Sequence, residues 1–445
     1  MLKILLIMPD AGIHRVAVGS HRMSLREAPL TLTMLAALVP PELNASVRVV
    51  DESIQSVPWR EYFDLVGISC LTGTALRGYA LADRFRARGT TVVLGGIHVT
   101  LRPEEAARHA DAIVVGFAER AWPELLRDWS VGRMRLRYEG GGKDLRRLPV
   151  PRRDLQKRFG YIVPNTVFAT RGCRHSCEFC SVAAVPYGWQ TRPVEDVIDE
   201  IRGMRGGRIA FNDVSLIDDR EYARELFTAM IPLRRKWGGL ATIEVAEDDE
   251  MLDLMRRSGC VYLLIGFETL SEEGLAGMNK GFNHASGYQE AMQKLHAHDL
   301  IIQGCFIVGL DQDDEDVFER TRDSVRELRI DIPRFAIFTP YPGTRAFSRL
   351  KTEGRILHEY WPHYDTQHVV HRPARMSPER LDAGFRWLYE QTFTLPNIRR
   401  RLAGSKQFPI TFAGNLAYRL YLRRLRRDRH RIHRTGEREE VTCLA

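Results

Sequence analysis

Short apolar runs alternate with stretches of helical period along the first part of the chain. Leu2 to Met8, Val47 to Val50, Leu65 to Ser69, Thr91 to Leu94 and Ile113 to Val115 are too short for isolated helices. They are rich in Val, Ile and Leu, as strands buried on both faces are. Helical patterns lie between them at Leu30 to Leu38, Ala75 to Arg88, Pro103 to His109 and Trp122 to Trp129. This alternation predicts an α/β, doubly wound parallel sheet. Ligands of such sheets sit beyond the carboxyl ends of the strands. Here those ends carry Pro9-Asp10, Asp51-Glu52, Ser69 to Thr74, Gly95-Gly96-Ile97-His98 and Gly116.

A polar stretch follows, from Glu139-Gly140-Gly141-Gly142 through Pro149, Pro151 and Arg153, without apolar period, as expected of a linker. A second series then begins with Thr166 to Thr170. It continues through strands near Arg208 to Phe211, Ala241 to Val245, Tyr262 to Phe267, Ile301 to Val308 and Arg334 to Phe338. Helices are expected between them at Val194 to Met204, Glu221 to Lys236, Met251 to Ser258, Ser286 to His298 and Asp316 to Leu328. Six strand–helix units suit a partial barrel short of the full eight. The chain thus divides into 1–138, a linker 139–163, a barrel 164–345 and a helical, basic region 346–445. No internal repeat of fixed period is present.

Composition narrows the class. With 445 residues, 44% apolar and 27% charged, the chain can bury two or three cores without disulfides. The opening Met1 to Met8 meets Pro9-Asp10 without a signal-peptide pattern, and no apolar run reaches the roughly 18 residues of a membrane span, so a cytoplasmic protein is expected. Much of the formal charge of +8 comes from Arg399 to Arg434, where twelve Arg or Lys face one acid, Asp428. The basicity is therefore a local property of the tail; phosphate-bearing surfaces, membrane headgroups more than nucleic acid, are its candidate partners, and a plain solvated tail is the alternative. Phe408, Ile410, Phe412, Leu416, Tyr418 and Leu420 interleave there with Arg419, Arg423 and Arg424. An interfacial helix on anionic membrane and a helix packed on the barrel are the two expectations.

Of seven cysteines, Cys70, Cys260, Cys305 and Cys443 stand apart, whereas Cys173, Cys177 and Cys180 fall within eight residues. The segment Thr170-Arg171-Gly172-Cys173-Arg174-His175-Ser176-Cys177-Glu178-Phe179-Cys180 is a CxxxCxxC loop directly after a strand. Thiolates are soft, strongly donating ligands, and three on one loop can hold three irons of a four-iron cluster and leave the fourth open. A zinc site completed by His175 or a distant ligand competes with it.

This loop, with the aromatic Phe179 before its last Cys, resembles that of the radical S-adenosylmethionine enzymes. The resemblance implies a [4Fe-4S] cluster on Cys173, Cys177 and Cys180. It implies S-adenosylmethionine chelating the open iron, Phe179 near the adenine, and reductive cleavage to a 5′-deoxyadenosyl radical. Ile265-Gly266-Phe267-Glu268-Thr269 resembles the segment whose acid contacts the ribose or methionine moiety; a helix N-terminal acid is the plain alternative for Glu268. Met278-Asn279-Lys280 resembles a recurrent turn with a structural role. Phe211-Asn212-Asp213 stands where relatives place polar groups for the methionine amine, Asp213 being equally suited to cap a helix. Gly304 to Gly309, with Ile307, resembles the strand that passes the adenine, or one packed tightly through its glycine.

The preceding domain resembles the cobalamin-binding domain of one subclass of these enzymes, through Ala28-Pro29-Leu30, Val50-Asp51, Gly95-Gly96-Ile97-His98-Val99-Thr100, and Gly116 with Glu119 and Trp122. The resemblance implies cobalamin contacts at Ser69, Thr72, Gly95, Gly96, His98, Gly116 and Glu119. The Asp-x-His-x-x-Gly motif that supplies an axial His elsewhere is absent. His98 is read as a hydrogen-bonding residue rather than a cobalt ligand. Only one glycine follows Pro9-Asp10-Ala11, which disfavours a dinucleotide site.

The implied activity is C-methylation of an unactivated carbon of a lipid, tetrapyrrole or other secondary metabolite, with a flavodoxin- or ferredoxin-type reductant. Oxidative cyclisation without methyl transfer and a non-catalytic metal or cobalamin carrier are the alternatives. Tyr341-Pro342-Gly343-Thr344, Tyr364-Asp365-Thr366 and Arg375-Met376-Ser377-Pro378 resemble the post-barrel region of relatives acting on hopanoids or tetrapyrroles.

Overall fold

The computed structural model describes residues 1–10, 15–18, 21–24, 26–142, 144–157, 159–420 and 422. Ile4, Leu5, Leu6 and Ile7 are completely buried, because their strand, Leu2–Met8, is covered on both faces. It lies inside a six-stranded, wholly parallel sheet ordered Ala45–Asp51, Leu2–Met8, Leu65–Ser69, Thr91–Gly95, Ala112–Val115, Arg137–Glu139. The sheet grows outward in opposite directions from Leu2–Met8 and Leu65–Ser69, a switch point that opens a crevice at the strand ends.

The second sheet holds Thr166–Val167, Arg208–Phe211, Lys236–Ala241, Cys260–Glu268, Ile301–Val308 and Ile332–Ile337, side by side in chain order and all parallel. Its two outer strands do not pair, so this is an open partial barrel. Five helices, Val194–Gly203, Arg220–Met230, Asp249–Ser258, Tyr288–Ala297 and Val317–Glu327, carry the crossovers.

The expected third barrel strand, Ala241 to Val245, is displaced. The strand is Lys236–Ala241, and Ile243–Glu247 is a 3₁₀ turn. The preceding helix ends at Met230, and Arg234 then adopts a left-handed conformation, φ 49°, that redirects the chain. Gly238 and Gly239 carry no side chain, which hid the strand from an apolar count. Two further differences concern the first domain. Arg137–Glu139 is a sheet strand running past the expected boundary at 138. Ile97–Leu101 is helical, so His98 sits in a first helical turn, not in a Gly-rich loop.

The region after the barrel is not a separate unit. Phe347, Trp361, Tyr364 and Val370 are buried in the core of the first domain, beside Tyr79, Phe85 and Val99. Each such side chain contributes roughly 2 kcal/mol of burial, so residues 345–371 weld the two sheets together. Pro378–Thr392 and Leu395–Arg401 pack instead on the barrel helices.

Of the two expectations for the apolar segment of the tail, barrel packing is observed. Residues 408–420 form a helix whose Thr411 and Asn415 are fully buried and whose Phe412 and Tyr418 join the barrel core. Asn415 Nδ2 donates to the Asp331 carbonyl at 2.8 Å. Phe408, Ile410 and Leu420 remain exposed. Arg423, Arg424 and the rest of the basic run lie outside the described residues, as does Cys443. Among the described residues, no helix is long and apolar enough to cross a membrane.

Candidate functional site

The cysteine loop is held at both ends and from above. Thr170–Arg171 pairs antiparallel with Gln190–Thr191 and closes its base. Asp213, buried at the next strand end, accepts the Ala169 amide at 3.0 Å, the Thr170 hydroxyl at 2.7 Å and the Thr170 amide. Burial pushes its carboxyl up to about 6 against these donors. Asp213 is therefore committed to the backbone leading into the loop, while Asn212 beside it faces the open cavity.

From above, Asn279 Nδ2 donates to the Ser176 carbonyl at 2.9 Å and to its hydroxyl at 2.8 Å, and the Glu178 amide donates to the Met278 carbonyl at 3.0 Å. Met278-Asn279-Lys280 is thus a clamp on the cysteine loop. His175 stacks on Phe282 with ring centroids 3.8 Å apart, and its Nε2 stands 3.5 Å from Asp218. That engagement makes it a loop anchor.

Burial pushes the Cys173 thiol up to about 12 and the Cys177 thiol up to about 11, and charge on Cys180 adds to both. Three thiolates in this pocket require a compensating cationic group, as an iron–sulfur cluster supplies. All three cysteines are free and half-buried. Among the described residues no group of three or more His, Cys, Asp or Glu is gathered to hold a single metal ion. The donor set fits a cluster spread over three sulfurs.

Glu268 ends the fourth barrel strand at a register shift, in a left-handed conformation with φ 63°. The shift aims its carboxylate at Lys280, whose Nζ donates to Oε1 at 2.5 Å and to the Gly266 carbonyl at 3.0 Å. Asn283 Nδ2 donates to the same carbonyl at 3.0 Å. Phe179 meets Phe338 edge-on at 6.5 Å and, with Ile307, packs against Leu275, Met278 and Leu310. Phe179 therefore anchors the loop through an apolar cluster, whatever it presents to a ligand.

A cavity of about 800 Å³ lies between the carboxyl ends of the two sheets. Ser69, Thr72, Gly95, Gly96, Gly116 and Glu119 line it on one side; Thr170, Arg171, Gly172 and Ser181, flanking the cysteines, line it on the other. Gly96 and Gly116 have φ of 99° and 87°, and a Cβ on Gly116 would collide with the Tyr187 hydroxyl. Only glycine allows so close an approach. A concave, glycine-paved wall at a sheet switch point suits a large planar cofactor. His98 is the exception among the expected contacts. It is fully buried behind Thr72 and does not line the cavity.

Several lining groups were missed by sequence reasoning. Arg171 pairs with Glu119 across the cavity, and its guanidinium lies over the rings of Phe117 and Phe168 at 4.6 and 4.7 Å. Tyr187 reaches over Gly116. Arg334 also lines the cavity, beside Tyr341, Asp365 and Thr366 of the post-barrel segments that the sequence singles out. The charge of Arg171 immediately before Gly172-Cys173 was a usable signal; nothing local marks Tyr187.

Comparisons with known proteins agree with this architecture. Residues 167–325 match the family described as the Radical SAM superfamily, and residues 13–126 the B12 binding domain. The bacteriochlorophyllide d C-12(1)-methyltransferase of Chlorobaculum tepidum is 31% identical over 419 residues, 90% of each chain. The C-8(2)-methyltransferase of the same organism is 28% identical over 88% of this chain and 91% of its own. Among solved structures, the radical S-adenosylmethionine methyltransferase TsrM from Kitasatospora setae superposes with a TM-score of 0.62 at 16% identity, covering 79% of this chain and 78% of its own. OxsB, with aqua-cobalamin and S-adenosylmethionine bound, gives 0.65 at 13% identity, covering 94% and 72%. Two cofactor domains facing one cavity, and a relative alike over nine-tenths of both chains, place this chain in the family of cobalamin-dependent radical S-adenosylmethionine enzymes.

Proposed function

We propose that this chain methylates an unactivated carbon of an apolar, tetrapyrrole-type small molecule. The observation that carries this reading is the common cavity, walled by the B12-domain strand ends on one side and by the flanks of the cysteine loop on the other. When bound, the cluster, S-adenosylmethionine and cobalamin supply the electron, the hydrogen-abstracting radical and the methyl group. The chain's own part is to hold them around one substrate. Asn279 and Asp213 fix the loop, Lys280 orients Glu268, and Leu71 and Val214 give the cavity exposed apolar walls. The two tetrapyrrole methyltransferases of Chlorobaculum tepidum, matched over most of their length, support the substrate class. The electron donor of this reading is a flavodoxin- or ferredoxin-type protein.

The test is turnover with methyl-labelled S-adenosylmethionine under anaerobic reducing conditions. Label in the product together with 5′-deoxyadenosine is the expected outcome. A second reading, oxidative cyclisation without methyl transfer, is favoured by the match to the anaerobic magnesium-protoporphyrin IX monomethyl ester cyclase of Cereibacter sphaeroides, 27% identical over 44% of this chain. It requires 5′-deoxyadenosine without labelled product, and a non-catalytic carrier releases none. Peripheral membrane contact through the basic end is tested by salt-sensitive sedimentation with anionic liposomes. With Phe412 and Tyr418 committed to the barrel, such binding depends on the charges beyond residue 422.

A further inference from the structure

Behind Thr72, on the cavity wall, runs a line of polar groups, buried at Thr72 and His98 and half-buried at Glu105. His98 is completely buried, with Nδ1 3.4 Å from the Thr72 hydroxyl and Nε2 3.5 Å from Glu105 Oε1. Glu105 Oε1 also accepts the indole N–H of Trp361 at 2.8 Å. The rings of Tyr79 and Trp361 flank the imidazole at 6.2 and 5.4 Å. Trp361 comes from the segment after the barrel, and the other groups from the first domain.

The Glu105 carboxylate stands 3.5 Å from Nε2, beyond a good hydrogen bond, and its negative charge favours the proton on that nitrogen, which leaves Nδ1 as the acceptor toward Thr72. The Thr72 hydroxyl then donates inward to His98, and its oxygen lone pairs are left for the cavity. A hydroxyl free to rotate has no such preference.

We propose that His98 is a positioning residue for the corrinoid. Held by Glu105 and Trp361, it turns Thr72 into a fixed hydrogen-bond acceptor for the carboxamide N–H groups at the rim of the corrin, and it is not a ligand of the cobalt. The chain's two halves thereby share the setting of one contact, since Trp361 locks Glu105 from the post-barrel segment.

The proposal rests on the cobalamin reading of the cavity, and hydroxocobalamin binding to the full-length protein separates the two. The dissociation constant is measured by equilibrium dialysis for wild type, Thr72→Val, His98→Ala, His98→Gln, Glu105→Gln, Trp361→Phe and the double variant Thr72→Val/His98→Ala, with a melting curve for each. Thr72→Val and His98→Ala should each weaken binding about tenfold, the worth of one hydrogen bond. The double variant should bind no more weakly than either single, because His98 acts through Thr72. His98→Gln should recover part of the loss, and Glu105→Gln and Trp361→Phe should show smaller losses. Should His98→Ala fail to fold, the same cycle is run with Glu105→Gln in its place.

Multiplying losses in the double variant would make His98 an independent core residue and overturn the proposal, as would wild-type affinity in Thr72→Val. A nitrogen splitting in the cobalt(II) electron paramagnetic resonance signal that vanishes in His98→Gln would make His98 a cobalt ligand, which also overturns it. A wild-type protein that binds no hydroxocobalamin removes the cobalamin reading itself.

Discussion

Arg171, two residues before the first cysteine, is ion-paired with Glu119 on the helix Ala118–Ser130 of the opposite sheet. The pair is largely shielded, with 19% and 14% side-chain exposure, so each partner depends on the other for its solvation. It ties the strand feeding the cysteine loop to the opposite wall of the cavity.

Replacing Arg171 with Ala leaves Glu119 uncompensated and strips the cover from Phe117 and Phe168. A loss of about 3 kcal/mol is expected, with a smaller loss for Glu119→Gln. Urea unfolding of the full chain measures it. A change below about 0.5 kcal/mol, the range of ordinary surface substitutions, would show the pair to be ornamental.

The Met278-Asn279-Lys280 clamp predicts two separable defects. Asn279→Ala removes both hydrogen bonds to Ser176 and should lower iron content after anaerobic reconstitution, because the loop is no longer preorganised. Lys280→Met leaves the Glu268 carboxylate without its cation and should weaken S-adenosylmethionine binding about tenfold at normal iron content. Iron analysis and equilibrium binding distinguish them. Equal iron loss in both variants would mean that Lys280 serves only the loop.

Gly116→Ala places a Cβ against the Tyr187 hydroxyl at a φ of 87°. Strain of about 1–3 kcal/mol is expected, together with weakened hydroxocobalamin binding. Adding Tyr187→Ala should relieve only the clash with that side chain, leaving the Gly140 carbonyl 2.6 Å from the added Cβ and the cost of the left-handed backbone. Full recovery in the double variant would show that neither the left-handed conformation nor the approach to the Gly140 carbonyl costs anything there.

Two buried carboxyls give a pH signature. Burial raises Asp213 and Asp313 to about 6, above the ordinary Asp value of 3.8, despite amide donors to each. The folded state therefore holds these protons more tightly than the unfolded state, and their contribution to stability falls as pH rises from about 4 through about 6. Asp213→Asn removes one such proton. The stability difference between this variant and wild type should therefore shift by that amount across the window and stay flat above about pH 7. A difference independent of pH from 4 to 7 would contradict the assignment.

Ending the chain after Gly404 deletes the helix at 408–420 and uncovers the barrel surface beneath Phe412 and Tyr418, so the melting temperature should fall by several degrees. Ending it after Leu422 keeps the helix, so this form should melt several degrees above the shorter one. Comparable melting of the two truncated forms would show that the helix adds nothing to the fold.

Much of the fold was legible because burial on two faces leaves a local mark. Leu2–Met8, Leu65–Ser69 and Ile301–Val308 read as strands from their Val, Ile and Leu alone. Lys236–Ala241 did not, since Gly238 and Gly239 carry no apolar side chain and the strand is defined by its neighbours. The clamp by Asn279, a residue 103 positions from Ser176, left no trace beyond a recurrent turn.

The sequence by itself determined a three-thiolate metal loop, its resemblance to the radical S-adenosylmethionine enzymes and the α/β class of both domains, because cysteine spacing and strand–helix alternation are local properties. Tertiary structure alone decided which side chains meet. It brought Arg171 to Glu119, turned His98 inward behind Thr72, committed Asp213 to backbone amides and folded Trp361 into the core of the first domain. These outcomes depend on contacts between segments far apart in the chain, where the free energy of burying one group is set by whatever partner the fold delivers.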